Sequence, residues 1–147
     1  MNFRAQGICM KCVLDSAVFI NATSFPFLSK YAYVISSLCV REIKESTAQL
    51  RLETALQSMR VRIDDPSLSI LPSVKELAQT HGVLHLTPAD ESVIALAMES
   101  YSRKEKIFVY TDDYSIQNVL KWAKIPFEGI LQSGIQKKRS FRKKPVE

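Results

Sequence analysis

Five acids stand out by position. Asp15 closes the apolar run Cys12-Val13-Leu14, and Asp112 and Asp113 close Ile107-Phe108-Val109-Tyr110. Glu42 and Asp90 each lie at the front of an apolar-patterned helix. A buried, unpartnered charge is costly, so carboxylates at the ends of buried segments call for an explanation. If the chain brings them together, their repulsion needs a cation. Hard oxygen donors select Mg²⁺ or Mn²⁺ rather than zinc. Such an ion polarises a phosphoryl oxygen and acidifies water, which makes a phosphodiester the natural substrate. Ser16 and Thr111, beside these acids, are placed to orient water or a phosphate.

Each acid also has a plain alternative. Asp90 suits the first turn of a helix, where the dipole favours a carboxylate. Asp112 suits the N-cap of a helix starting near Tyr114. Glu42, near Lys44 and Glu45, suits a solvated face. Asp15 is the hardest to dismiss, because apolar Ala17-Val18-Phe19-Ile20 follows it. The shared placement of all five favours a site.

The elements that must position them follow from periodicity. A buried strand begins near Val13 and is left at Asp15-Ser16. Val34 to Val40 is apolar and β-branched, which fits a second short strand. From Val40 the pattern turns helical through Ile43, Leu50, Leu52, Leu56 and Met59. Arg60 to Ile63 alternates as a strand, and Ile70 to His81 is a helix stopped by Gly82. Thr87-Pro88-Ala89-Asp90 starts a helix with Thr87 as N-cap and Pro88 first inside. Its body, Val93 to Met98, is apolar nearly all round and so buried on more than one side. Ile107 to Tyr110 is a buried strand, Tyr114 to Lys124 a helix, and Pro126 to Leu131 a last short strand. Strands alternating with helices imply an α/β fold with a mainly parallel sheet. Ligands of such sheets bind beyond the carboxyl ends of the strands, where Asp15 and Asp112-Asp113 fall.

Composition excludes much. The chain has 147 residues, 46% of them hydrophobic and 24% charged, as in one ordinary globular domain with a real core. No apolar run reaches the ~20 residues of a membrane span, and Met1 to Met10 lacks a signal-peptide layout. The expected location is the cytoplasm. Four glycines provide no Gly-rich phosphate loop, and no serine–histidine–acid set is evident. Cys9-Met10-Lys11-Cys12 has half a zinc-site spacing, but no second pair completes it, so no zinc is expected.

Charge is concentrated at one end. Lys137, Lys138, Arg139, Arg142, Lys143 and Lys144 stand against Glu147 alone and carry the whole net charge of +5. Such a run suits contact with phosphates, or simply solubility. The expected organisation is a domain over residues 10–131 and a basic tail over 132–147.

These segments resemble PIN-domain ribonucleases. Val13-Leu14-Asp15-Ser16-Ala17-Val18-Phe19-Ile20 is similar to that family's opening strand, and Val40-Arg41-Glu42-Ile43-Lys44 to its acid-bearing helix. Leu86 to Ala97 resembles its third acidic segment. Tyr110-Thr111-Asp112-Asp113-Tyr114-Ser115-Ile116-Gln117-Asn118-Val119 resembles the archaeal relatives of the endonuclease that matures the 3′ end of small-subunit ribosomal RNA, as does Pro126 to Ile130. The resemblance implies a Rossmann-like three-layer α/β/α fold with a five-stranded, mainly parallel sheet. It implies Mg²⁺- or Mn²⁺-dependent cleavage of single-stranded RNA, leaving a 3′-hydroxyl and a 5′-phosphate. Asp15, Glu42, Asp90 and Asp113 match the family's acids, with Asp112 as an additional ligand, for one or two ions. That branch usually continues into a zinc ribbon with four cysteines, whereas no cysteine follows Cys39 here. The ribbon is expected to be lost or cut short, with the basic tail replacing part of its RNA grip. Ribosomal RNA or a pre-ribosomal particle is the expected partner, and a homodimer is left open. A toxin-type PIN nuclease and a non-catalytic RNA- or ribosome-binding module are the alternatives.

Overall fold

The structure is a computed structural model and describes residues 10–21 and 24–130. Twelve regular elements alternate along it. They are β1 (Met10–Leu14), α1 (Ala17–Ile20), β2 (Tyr31–Ile35), α2 (Ser37–Glu42), α3 (Ser46–Gln57), β3 (Val61–Ile63), a 3₁₀ turn (Leu68–Ile70), α4 (Leu71–Thr80), α5 (Pro88–Ser102), β4 (Ile107–Tyr110), α6 (Tyr114–Trp122) and β5 (Phe127–Glu128).

The five strands form one sheet in the order β3-β2-β1-β4-β5, and every pairing is parallel. β1 starts in the middle. The chain first builds outward to β2 and β3, then returns to add β4 and β5 on the other side. This reversal leaves a crevice between the carboxyl ends of β1 and β4, the place where open α/β sheets bind ligands. Leu14 is level with both Ile35 and Tyr110, so the residues that follow these strands emerge side by side.

Parallel strands covered on both faces read as continuous apolar runs. Cys12, Val13 and Leu14 are accordingly all fully buried. α1 and α3 pack together, with α3 against β3, while α5 lies on β1 and β4 and packs with α4 and α6. Right-handed crossovers put these two groups on opposite faces, which gives the three layers. Consecutive residues Ser92 to Ala97 of α5 are all buried, the inward packing expected of a helix that is apolar all round.

The second strand differs from the sequence-based expectation. It runs over Tyr31–Ile35, and Leu38-Cys39-Val40 belongs to α2. Ser36 makes the switch: its hydroxyl accepts from the Cys39 backbone N–H at 3.1 Å, a helix N-cap. The expected single helix from Val40 onward is also two helices, because α2 ends at Glu42 and α3 starts at Ser46.

Four helices end alike. Met59, Gly82, Lys104 and Lys124 have φ near +60 to +73°. In each case the next N–H reaches a carbonyl five residues back: Arg60 to Ala55, Val83 to Ala78, Glu105 to Ser100 and Ile125 to Leu120. This is the Schellman ending, which usually employs glycine. With few glycines available, three of the four turns hold a side chain in the left-handed region.

Candidate active site

Asp15 sits at the end of β1, where its N–H continues the ladder to the Tyr110 carbonyl of β4 at 3.1 Å. Its residue is 7% exposed. Oδ2 accepts from the Thr111 hydroxyl at 2.8 Å, and Oδ1 lies 3.3 Å from the Ser16 hydroxyl. The same Ser16 hydroxyl is 3.1 Å from Glu42 Oε1. A hydroxyl has one proton, so Asp15 and Glu42 share a single donor between two carboxylates.

Thr111 is fully buried and is used twice. Besides donating to Asp15, its oxygen accepts from the Asp113 N–H at 3.1 Å. Gln117 Nε2, one turn into α6, donates to the Thr111 carbonyl at 2.7 Å. The loop that leaves β4 is thereby held against the end of β1.

Asp113 is the N-cap of α6: Oδ1 accepts from the N–H groups of Ser115 at 2.8 Å and Ile116 at 3.2 Å. Its second oxygen is not used by this cap. The sequence-based assignment of the cap to Asp112 is therefore corrected. Asp112 turns away, with Oδ1 accepting from the Ile130 N–H at 2.8 Å, and so ties the β4 exit to the stretch after β5. Its Oδ2 is a buried oxygen with no hydrogen-bond partner among the described residues.

Asp90 has the cap geometry read from the sequence. Thr87 Oγ1 accepts from the Asp90 N–H at 3.1 Å, and Asp90 Oδ2 accepts from the Thr87 N–H at 3.0 Å. This reciprocal capping box occupies one carboxylate oxygen and leaves the other free.

The electrostatics tie the acids into one group. Burial pushes the Asp15 carboxyl up to about 6; the Thr111 hydrogen bond opposes this, and the charges of Asp90, Asp113 and Glu42 add to the rise. Asp90 is also raised, by burial first, against the Thr87 hydrogen bonds and with help from Asp113. Among the described residues no Lys or Arg forms an ion pair with Asp15, Glu42, Asp90 or Asp113. Lys11, the buried cation four residues earlier on β1, is engaged with Ser100 at 2.9 Å and Asp64 at 3.7 Å.

Converging carboxylates with free oxygens and no cation of their own suit a divalent ion. Asp15, Glu42 and Cys39 each offer a ligand atom within 4.8 Å of the others. Cys39 was not anticipated as part of this group. It precedes Glu42 by three residues on α2, so helix periodicity places both on one side, a signal that was available in the sequence. Burial pushes its thiol up to about 12, and its Sγ contacts the Ala89 carbonyl at 3.8 Å. Ser36 and Ser92 were also unforeseen. Their hydroxyls bond at 2.7 Å, joining the cap of the helix that bears Glu42 to the helix that bears Asp90.

A family pattern described as the PIN domain of ribonuclease matches residues 12–99. The chain belongs to the PIN-domain ribonucleases. Among curated proteins, it is 34% identical to "Endoribonuclease Nob1" of Methanothermobacter thermautotrophicus over 137 residues, 92% of this chain and 78% of that one. It is 35% identical to "Endoribonuclease Nob1" of Pyrococcus abyssi over 129 residues, 87% of this chain and 73% of that protein. "Ribonuclease VapC3" of Aeropyrum pernix is 29% identical over 108 residues, 73% of this chain and 76% of that one.

In this PIN domain the matched span covers Asp15, Glu42 and Asp90 and stops before β4. Thr111 and Asp113 lie outside that pattern but within the similarity to the Methanothermobacter protein, which takes in 92% of the chain. The basic run from Lys137 to Lys144 lies outside the described residues.

Proposed function

We propose that this protein is a metal-dependent endoribonuclease that cleaves single-stranded RNA in ribosomal RNA processing. The observation that carries the reading is the convergence of Asp15, Glu42, Asp90 and Asp113 on the crevice between β1 and β4, with their charges felt at a buried Asp15. The similarity to proteins called endoribonucleases supports RNA as substrate.

Asp15, Glu42, Asp90 and Asp113 would hold Mg²⁺ or Mn²⁺, as befits a site dominated by hard oxygen donors. When bound, such an ion polarises the scissile phosphate and makes water a better nucleophile. The chain's own residues do the rest. Asp15 is held in one rotamer by Thr111, and Ser16 keeps Glu42 beside it. Asp113 keeps one oxygen on the α6 cap, which fixes the direction of the other. Hydrolysis would leave a 3′-hydroxyl and a 5′-phosphate. Asp112, engaged with Ile130, has at most a supporting part. The domain over 10–131 would carry the chemistry, and Lys137, Lys138, Arg139, Arg142, Lys143 and Lys144 would grip phosphates.

The test is incubation with single-stranded RNA and Mn²⁺ or Mg²⁺, beside an Asp15→Asn variant. Cleavage by the wild type alone, abolished by a chelator, is the expected result. Equal cleavage by both proteins would refute the site. Salt-sensitive binding without any cleavage would instead make the protein an RNA-binding module.

A further inference from the structure

α6 begins at the site and leads away from it. Asp113 caps its first turn, and Trp122 is its last residue. At 1.5 Å per residue the two are about 13 Å apart along the helix axis, a distance that a few nucleotides of single strand span.

The outer face of this helix has an unusual make-up. Tyr114, Asn118, Lys121 and Trp122 stand at i, i+4, i+7 and i+8, one stripe of an α-helix, and all four are exposed. Tyr114 is 81% exposed and Trp122 56%. From Tyr114 to Lys124 there is no acidic residue, and Lys121 and Lys124 are exposed. The opposite side of the helix buries Ile116, Val119 and Leu120, so the core does not need the stripe.

Trp122 is also held in place. Its ring stacks on His81, at the end of α4, with centroids 4.0 Å apart and planes within 6°. One ring face is covered by the imidazole, which fixes the orientation of the other. Aromatic platforms beside cations and free of acids are how proteins hold single-stranded nucleic acid without reading its sequence. An aromatic ring can stack on any base, and lysines can follow the phosphates.

We propose that the outer face of α6 is the track along which single-stranded RNA leaves the acid cluster, with Tyr114 and Trp122 stacking on bases and Lys121 and Lys124 facing phosphates. This rests on the reading of the protein as a ribonuclease, and it assigns the path of the substrate beyond the scissile phosphate.

Trp122 is the only tryptophan in the chain, so the intrinsic fluorescence of the whole protein reports this face alone. The experiment titrates the full chain with oligouridylate in the presence of a chelator. It follows tryptophan emission, with the anisotropy of a labelled oligonucleotide as an independent measure of binding. Saturable quenching that tracks the anisotropy is expected. Trp122→Ala and Tyr114→Ala should each weaken binding about tenfold, whereas Trp122→Phe and Tyr114→Phe, which keep a ring, should bind nearly as the wild type does. Replacing Lys121 and Lys124 together by Gln should lower the slope of log Kd against log salt by about 1.4. RNA that binds while Trp122 stays unquenched, or that binds Trp122→Ala with wild-type affinity, overturns the track. In that case cleavage of the same RNA leaves the nuclease reading standing. RNA that fails to bind at all also overturns the track, and cleavage of RNA with Mn²⁺ then decides the nuclease reading separately.

Discussion

Thr111 donates its hydroxyl proton to Asp15 at 2.8 Å across the junction of β1 and β4. The two residues are 96 positions apart in sequence and meet where the strand order reverses. This bond opposes the burial that raises Asp15, and the same oxygen receives the Asp113 N–H. One hydroxyl thus steadies two of the acids.

Thr111→Val keeps the shape of the side chain and removes that hydroxyl. Asp15 Oδ2 is then left without its donor in a buried place, which should cost about 1–3 kcal/mol of stability. The Asp15 carboxyl should rise further, and divalent-ion binding should weaken. Thr111→Ser should restore both. Chemical denaturation and Mn²⁺ titration of the three proteins check this, and a Val variant that behaves like the wild type in both would remove Thr111 from the site.

Asp15 should also shape the pH dependence of stability. Its folded-state value of about 6 lies above the ordinary 3.8, so the folded protein binds the proton more tightly than the unfolded chain does. The resulting stabilisation is fully present below about pH 3.8 and is lost as the pH rises through about 6. A rise of this size corresponds to about 3 kcal/mol. In metal-free buffer, Asp15→Asn should flatten this part of the profile and exceed the wild type in melting temperature well above pH 6. Saturating Mg²⁺ should raise the melting temperature of the wild type far more than that of the variant. A wild-type profile that climbs between about pH 4 and 6, once compared with the variant, would contradict the burial of this charge.

Asp113 combines a cap with a charge, and two substitutions separate them. Asp113→Asn keeps an oxygen for the Ser115 and Ile116 N–H groups, so stability should stay close to that of the wild type while cleavage is lost. Asp113→Ala should lose cleavage and about 1 kcal/mol besides. Thermal melts beside a cleavage assay distinguish the two, and full activity in the Asn variant would make Asp113 a cap and nothing more.

Met59 is 89% exposed and holds φ at 59° in the turn after α3. Met59→Gly relieves the left-handed strain without removing a packed side chain, and should stabilise the protein by about 0.5–1 kcal/mol. Denaturant midpoints measure this directly, and destabilisation would show that the exposed side chain makes a contact of value.

Much of this was legible along the chain. Thr87-Pro88-Ala89-Asp90 announced a capped helix because caps are local: the donor, acceptor and backbone lie within one turn, and both halves of the box form. Gly82 marked the end of α4 for the same reason, since only a left-handed residue closes that turn. The second strand was misplaced toward Val40 because Leu38-Cys39-Val40 suits either state. Ser36 chose the helix with the help of Ser92, a partner 56 residues away.

That acids would end buried strands of a parallel sheet was already written in the chain, because a two-sided apolar run and the charge that closes it are both local features. The same local pattern made Asp15 the hardest of them to dismiss as a surface charge. Which neighbour does what emerged only when the strands came together. Asp112 and Asp113 are adjacent and chemically identical, and no local rule separates them. The β5 exit takes one through the Ile130 N–H, and the start of α6 takes the other. Cys39 joins the acids because Ser36 folds its segment into a helix beside Asp15. The reason is range: caps and periodicity act within a few residues, whereas the energy of a charge cluster depends on distances that exist only once distant strands have paired.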